Sequence, residues 1–173
     1  GYLSALNKDD LLLVPGCGAG DIANKLTLKG FTQVLGTDIS KTAIEKAKSR
    51  FPGIAFETIA TEKLSSHEKF KDANVIDWLN LHQIVSVDRY LNTLGNLAKN
   101  ICIVWISDPN GELFAKSYVH EGNVYYHNPT NVQVKLTEKD LALKKQFNFM
   151  FTTNPKTGKV REHSGIGQIY ARQ

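Results

Sequence analysis

The ten residues LLLVPGCGAG (11–20), with Gly36-Thr37-Asp38 further along, decide how this chain is read. Residues 11–15 are an unbroken apolar run of strand length, which fits a strand buried on both faces. Gly16, Gly18 and Gly20 follow directly, and residues 21–29 then take a helical period with Ile22, Ala23 and Leu26 on one face and Gly30 as the stop. Between a buried strand and a helix, glycines allow a tight turn and bring backbone close to a ligand without β-carbons intervening. A second strand over 32–37 ends on Asp38, 22 residues after Gly16. A carboxylate at that place can accept both hydroxyls of a ribose. Asp38 is also suited to cap the following helix, a role that Ser40 could fill equally.

Working outward, runs rich in β-branched residues alternate with helical periods, the mark of a βαβ series and a mainly parallel sheet. After Asp38, Ser40 or Thr42 caps a helix carrying Ala43, Ile44 and Ala47, which ends at Phe51-Pro52-Gly53. Strands are predicted over 54–59, 74–79 and 101–106, with an amphipathic helix through Tyr90, Leu91, Leu94, Leu97 and Ala98 before the last of them. The alternation then stops. Residues 112–134 read as loop, holding Tyr118, His120, Tyr125, Tyr126 and His127. A helix is predicted over 137–147, where Thr137 and Asp140 resemble a capping box. The runs 147–152 and 166–171 flank a polar turn and read as an antiparallel hairpin added to the sheet. With no repeat, low-complexity tract or linker, residues 1–173 are expected to form a single domain.

The ligand is narrowed by Asp21. A dinucleotide fingerprint places a third glycine there, for close helix–strand packing beside a pyrophosphate. A carboxylate at that position would repel a pyrophosphate. S-adenosylmethionine carries no phosphate and is compatible with it.

Composition excludes several classes. The chain of 173 residues is 42% hydrophobic and 22% charged, ordinary for a water-soluble fold. Its longest apolar runs are far too short to cross a bilayer, so no membrane partner is expected. Nothing resembles an export signal, and little chain precedes the first strand. Two cysteines, Cys17 and Cys102, without a CxxC or Cys/His cluster, suggest a reduced, cytoplasmic protein with no metal. The net charge of +4 is spread among interleaved acids rather than gathered in a stripe, which disfavours a nucleic-acid partner without excluding it. Oligomeric state is not legible.

Taken together, these residues resemble the class I (Rossmann-like) S-adenosylmethionine-dependent methyltransferases over nearly the whole chain. LLLVPGCGAGD is similar to their glycine motif, GTDISKTAIEKAK to the segment after their second strand, and Leu81-His82 to a pair that often follows their fourth. The wording VPGCG is similar to the branch that methylates thiols and halides. The resemblance implies an α/β three-layer Rossmann-like sandwich, with a mostly parallel seven-stranded sheet and an antiparallel C-terminal hairpin strand. It implies S-adenosyl-L-methionine as cofactor, with S-adenosyl-L-homocysteine as product. Gly16, Cys17 and Gly18 would serve the methionine and ribose side, Asp38 the ribose hydroxyls, and Ile39 the adenine face. Ala60 and Thr61, with Glu62 nearby, would lie at the adenine edge, and Asn80 and Leu81 would pass beneath the methionine part.

Methyl transfer from a sulfonium needs an in-line nucleophile and exclusion of water, and positioning supplies much of the rate. A general base is optional. His82, just past the fourth strand, is the catalytic candidate, against the plainer role of a helix-start histidine with local bonds. Asp108 has a similar place after the fifth strand. The Tyr118–His127 cluster either lines an acceptor pocket or covers the sheet, and Trp78 and Trp105 are expected in the core. The expected function is methyl transfer to a small-molecule acceptor by direct displacement. The alternatives are a methyltransferase-like domain that binds cofactor or a partner without turnover, and a macromolecule methyltransferase. Val14 and Ala60, which stand where relatives often carry acids, motivate the non-catalytic alternative.

Overall fold

The computed structural model describes residues 2–84, 86–106, 120–121, 124–125, 127–153 and 161–173. Strand β1 (Leu12–Pro15) is buried at every position and lies inside a seven-stranded sheet, third from one edge. Around it the order is β3-β2-β1-β4-β5-β9-β8. The strands β2 (Val34–Asp38), β3 (Ala55–Thr58), β4 (Ala73–Trp78) and β5 (Ala98–Ile106) run parallel to β1. Strand β9 (Arg161–Arg172) enters antiparallel beside β5, and β8 (Leu141–Thr153) pairs antiparallel on its far side. A separate two-stranded ribbon joins β6 (His120–Glu121) and β7 (Val124–Tyr125). The expected α/β architecture and its reversed C-terminal hairpin are both present.

Alternation along β1 splits the core into two layers, as a period of two requires. Leu13 joins Leu64, Phe70, Val75, Tyr90, Leu94, Ile103 and Trp105 on one face. That face is covered by α3 (Val87–Leu97) and α4 (Pro129–Thr137). Leu12 and Val14 join Ala23, Leu26, Phe31, Ile44, Phe56 and Val104 on the other. There α1 (Asp21–Leu28) and α2 (Lys41–Arg50) contribute the buried pairs Ala23/Leu26 and Ile44/Ala47. Ser40 caps α2, its Oγ accepting the Ala43 N–H at 3.2 Å. Connections leave β1 and β4 toward opposite sides of the sheet, and such a switch point opens a crevice at the strands' carboxyl ends.

Two expectations are corrected here. The helix predicted over 137–147 is instead a strand from Leu141 onward, and the real helix lies earlier, at Pro129–Thr137, beginning inside the stretch read as loop and ending just past it. Asn128 caps it, with Oδ1 accepting the Thr130 N–H at 2.8 Å, and Pro129 occupies its first turn. The strand is disguised by a one-residue bulge. Leu143 pairs with Tyr170 and Lys145 with Ile169, so Lys144 is the extra residue. A bulge flips the side chains that follow it. Leu141 and Leu143 therefore face the α3 side, whereas Phe147 and Phe149 face the α1 side, and the resulting spacing imitates a helix. Trp105 is fully buried, as expected, but Trp78 is 40% exposed and stacks on Phe149 at 6.3 Å between ring centres.

Beyond this bulge the hairpin carries a cross-strand ladder. Phe147 lies opposite Gly167 and Phe149 opposite Gly165, and each ring covers its glycine so closely that a β-carbon there would overlap it. Aromatic cover of a strand glycine restores the packing that the missing side chain forfeits.

Candidate cofactor site

At the end of β1 the chain turns through Gly16, Gly18 and Gly20, all with positive φ. Gly16, at φ +59°, has a further constraint: a β-carbon there would lie 2.6 Å from Asn80 Oδ1. The Cys17 N–H donates to the Thr37 carbonyl at 2.9 Å, holding the turn against β2. Asp38 completes that junction. Its Oδ2 accepts the Gly18 N–H at 2.9 Å and its Oδ1 accepts the Ser40 N–H at 2.8 Å. One carboxylate thus ties the glycine turn to the loop after β2, leaving lone pairs for further donors.

Above this junction is a cavity of about 230 Å³. Of the residues expected at a cofactor site, Gly16, Asp38, Ile39, Ala60, Thr61 and Asn80 line it. Ile39 is 76% exposed, an apolar platform at the cavity's edge. Glu62, Gln83, Ile84 and Tyr90 complete the wall. Gly18 lies outside the wall and acts through its bond to Asp38. The other expected residues are placed differently. The Cys17 side chain turns into the core beside Gly36, and burial, with the nearby Asp38 charge, pushes its thiol up to about 12. Leu81 is fully buried among core residues beneath the cavity. His82 sits in the short turn Leu81–Gln83, and its side chain lies outside the described residues, as do Asp108, Tyr118 and Tyr126. His127 is buried near the Leu81 and Ile84 backbone, and its carbonyl accepts the Trp105 indole N–H at 3.1 Å. Burial lowers its proton affinity. His127 also lines a cavity of about 320 Å³ between α3 and α4, together with Val87, Leu91 and Val132.

Asp21 also has a different setting from the one expected. Arg50, at the end of α2, meets it with two nitrogens at 2.9 and 2.7 Å and donates to the Ala19 carbonyl at 3.0 Å. The Arg50 hydrogen bond holds the Asp21 carboxyl below its usual range. Because that charge is neutralised within the protein, repulsion of a pyrophosphate by Asp21 is weaker than the sequence alone suggests.

Two residues at the site escape the sequence-level reading. Asp77, inside β4, is completely buried, and its Oδ1 accepts the Asn80 amide N–H at 2.7 Å. The same amide nitrogen donates to the Pro15 carbonyl at 2.8 Å. Asn80 therefore fastens β4 to the start of the glycine turn while forming part of the cavity wall. Tyr90, from α3, faces Asp77 across the cavity floor, yet neither its hydroxyl nor Asp77 Oδ2 completes a hydrogen bond of good geometry. Burial pushes the Asp77 carboxyl up to about 7, against the lowering effects of Asn80 and Tyr90. The available signal was a lone acid in an apolar strand, Val75-Ile76-Asp77, near the sheet's carboxyl edge. A buried, perturbed carboxyl next to a cleft is a functional-site signature.

Among the described residues, no group of three or more His, Cys, Asp or Glu side chains could hold a metal. No helix among them is long and apolar enough to cross a membrane. On the α1 face, a wider apolar trough of about 620 Å³ runs over Ile76, Cys102 and Ile169 with Lys25, Lys29 and Lys145 at its rim.

A sheet ordered in this way, with a glycine turn and a β2-terminal acid at its switch point, is the architecture of class I methyltransferases. The chain belongs to that family: residues 6–158 match the family described as "Methyltransferase domain". No curated protein matches it. Among solved structures it is similar to one described under the conversion of a disulfide bond into a thioacetal group during echinomycin biosynthesis, at 19% identity and a TM-score of 0.75, covering 99% of this chain and 78% of that one. It is also similar to the magnesium protoporphyrin IX methyltransferase of Synechocystis PCC 6803 with bound S-adenosylmethionine (17% identity, TM-score 0.71, 99% and 75% covered). A third similar structure is an S-adenosylmethionine-dependent methyltransferase from Methanosarcina mazei (17% identity, TM-score 0.74, 99% and 96% covered).

Proposed function

We propose that this chain binds S-adenosylmethionine in the cavity between β1, β2 and β4 and passes its methyl group to a small-molecule acceptor. The observation that carries the reading is the Asp38 junction. Its carboxylate faces the cavity, is already oriented by the Gly18 and Ser40 amides, and keeps acceptor capacity for the two ribose hydroxyls. Ile39 offers its exposed side chain to the adenine face, with Thr61 and Glu62 at the ring's edge. Gly16 lets the methionine portion approach the backbone, and Asn80 fixes the wall beneath it. When bound, the cofactor supplies an electrophilic methyl on a positively charged sulfur. The chain's own share is orientation and exclusion of water, which can account for much of such a reaction's rate.

His82 remains a catalytic candidate and Cys17 a turn residue rather than a nucleophile, since its thiol stays protonated at neutral pH. Two buried, unpaired thiols are compatible with a reducing, cytoplasmic setting, and residues 1–173 with one domain.

Calorimetric titration with S-adenosylmethionine and S-adenosylhomocysteine tests the cofactor, and the Asp38→Ala variant tests the ribose assignment. Asp38→Ala is expected to weaken binding at least tenfold while remaining folded. A folded wild-type protein that takes up neither ligand at high micromolar concentration would refute the reading. A screen of thiols, phenols, amines and carboxylates with labelled cofactor then separates an enzyme from a domain that only binds.

A further inference from the structure

We propose that Asp77 is a buried counter-charge beneath the cavity, which makes the site favour S-adenosylmethionine, with its positively charged sulfur, over S-adenosylhomocysteine, which lacks that charge. The inference rests on the reading of the cavity as a site for this cofactor. It begins from an imbalance in the structure. Asp77 is completely buried, and among the described residues neither its Oδ2 nor the Tyr90 hydroxyl facing it completes a hydrogen bond of good geometry. A carboxylate is seldom buried in this condition without a cation to balance it. Among the described residues no lysine, arginine or histidine offsets it. The groups around it add no positive charge: Tyr90 from α3, Cys102 from β5, Glu62 beside Tyr90, and Asp38 across the cavity on β2. Among the described residues, the space open to a balancing charge on this side of Asp77 is the cavity. Asn80 and Tyr90 stand between Asp77 and that space, and both line it.

The two ligands differ by a methyl group and one positive charge, on sulfur. In a partly desolvated setting such a charge close to a buried carboxylate is felt strongly, because few water dipoles screen it. Burial leaves the carboxyl titrating at about 7, so near neutrality the counter-charge is only partly formed. A cation arriving above it expels the proton, and by linkage its affinity rises with pH through that range. The product lacks the charge on sulfur, so its affinity follows Asp77 ionisation less steeply. Asp77 in this role touches neither ligand; it sets the charge preference of the floor. With a ligand that lacks the charge on sulfur, the protonated form of Asp77 is the favoured one again.

The test is calorimetry of both ligands at about pH 6 and about pH 8, in wild type and in Asp77→Asn. The substituted amide keeps an acceptor oxygen for Asn80 but cannot ionise, while titration of the ligands themselves is common to both proteins. If loading displaces the Asp77 pKa by about one unit, the wild-type preference for S-adenosylmethionine grows about tenfold across this interval. In Asp77→Asn it stays constant. Tyr90→Phe, which removes the hydroxyl facing the carboxyl, moves the wild-type transition to higher pH, and it serves as the second variant if Asp77→Asn does not fold. A wild-type preference independent of pH overturns the proposal, as does a pH dependence that Asp77→Asn retains. Binding of neither ligand at any pH by a folded protein would instead overturn the cofactor reading itself.

Discussion

Replacing Gly16 by alanine puts a methyl carbon 2.6 Å from Asn80 Oδ1, 2.7 Å from its Cγ and 2.8 Å from its Nδ2. Two costs follow. The backbone there has φ +59°, and an L-residue held in the left-handed region pays about 1–2 kcal/mol. The Asn80 amide must also withdraw, yet its nitrogen is held by the Pro15 carbonyl and by Asp77 Oδ1. Losing a neutral hydrogen bond costs about 1 kcal/mol, and one to a charged or buried acceptor about 1.5–3 kcal/mol. Gly16→Ala is therefore expected to destabilise the fold by about 3–5 kcal/mol. In an Asn80→Ala background the amide is already gone, so only the backbone cost of about 1–2 kcal/mol remains. Urea unfolding of the four proteins in this cycle measures the difference, which should be about 2 kcal/mol or more of coupling. Additivity within about 0.5 kcal/mol would refute the assignment of Asn80 as the clamp on the glycine turn.

Asp77→Asn is expected to remove a pH-dependent liability. The carboxyl titrates at about 7 in the fold against 3.8 unfolded, so the folded state binds more protons between those values. Wild type then loses stability as pH rises toward and through 7, and the advantage of Asp77→Asn grows to at most about 4 kcal/mol near pH 8. Urea midpoints that track each other from pH 5 to 8 would contradict this. Gly167→Ala drives a β-carbon into the Phe147 ring and should cost about 1–3 kcal/mol, part of it recovered when Phe147 is also changed to alanine; thermal melts decide. Cys17 and Cys102, both buried with thiols pushed up to about 12, should react with a thiol-specific disulfide reagent at neutral pH only after denaturant is added. Rapid labelling of the folded protein would show that one of them opens.

The first half of the fold is legible because its signals are local and agree with one another. The apolar run of β1, the glycine turn, the Ser40 cap and the acid after β2 each follow from neighbouring residues. Their boundaries fall within one or two positions of those expected. The cavity wall was legible as far as it is built from those segments, at Gly16, Asp38, Ile39, Ala60 and Thr61, and also at Asn80. What failed depends on partners distant in sequence. Cys17 was read as a ligand residue from its place in the motif, but its rotamer is set by packing against β2. Asp77 and Tyr90 meet only once α3 lies on β4, thirteen positions along the chain. The neutralisation of Asp21 needs Arg50 from the far end of α2. The phase change at Lys144 is invisible to any search for a single period.

That bulge bears on the molecule's behaviour in company. β8 is a thirteen-residue strand at the rim of the sheet, paired on one side only among the described residues. A flat rim of that length is a template on which a second chain can extend the sheet and seed a precipitate. Lys144 interrupts the ladder near its start, and with Lys145 sets two exposed positive charges on the rim. An approaching copy would have to reproduce the kink and bring like charges together. The irregularity that hides the strand from sequence reading thus also protects the rim against self-association.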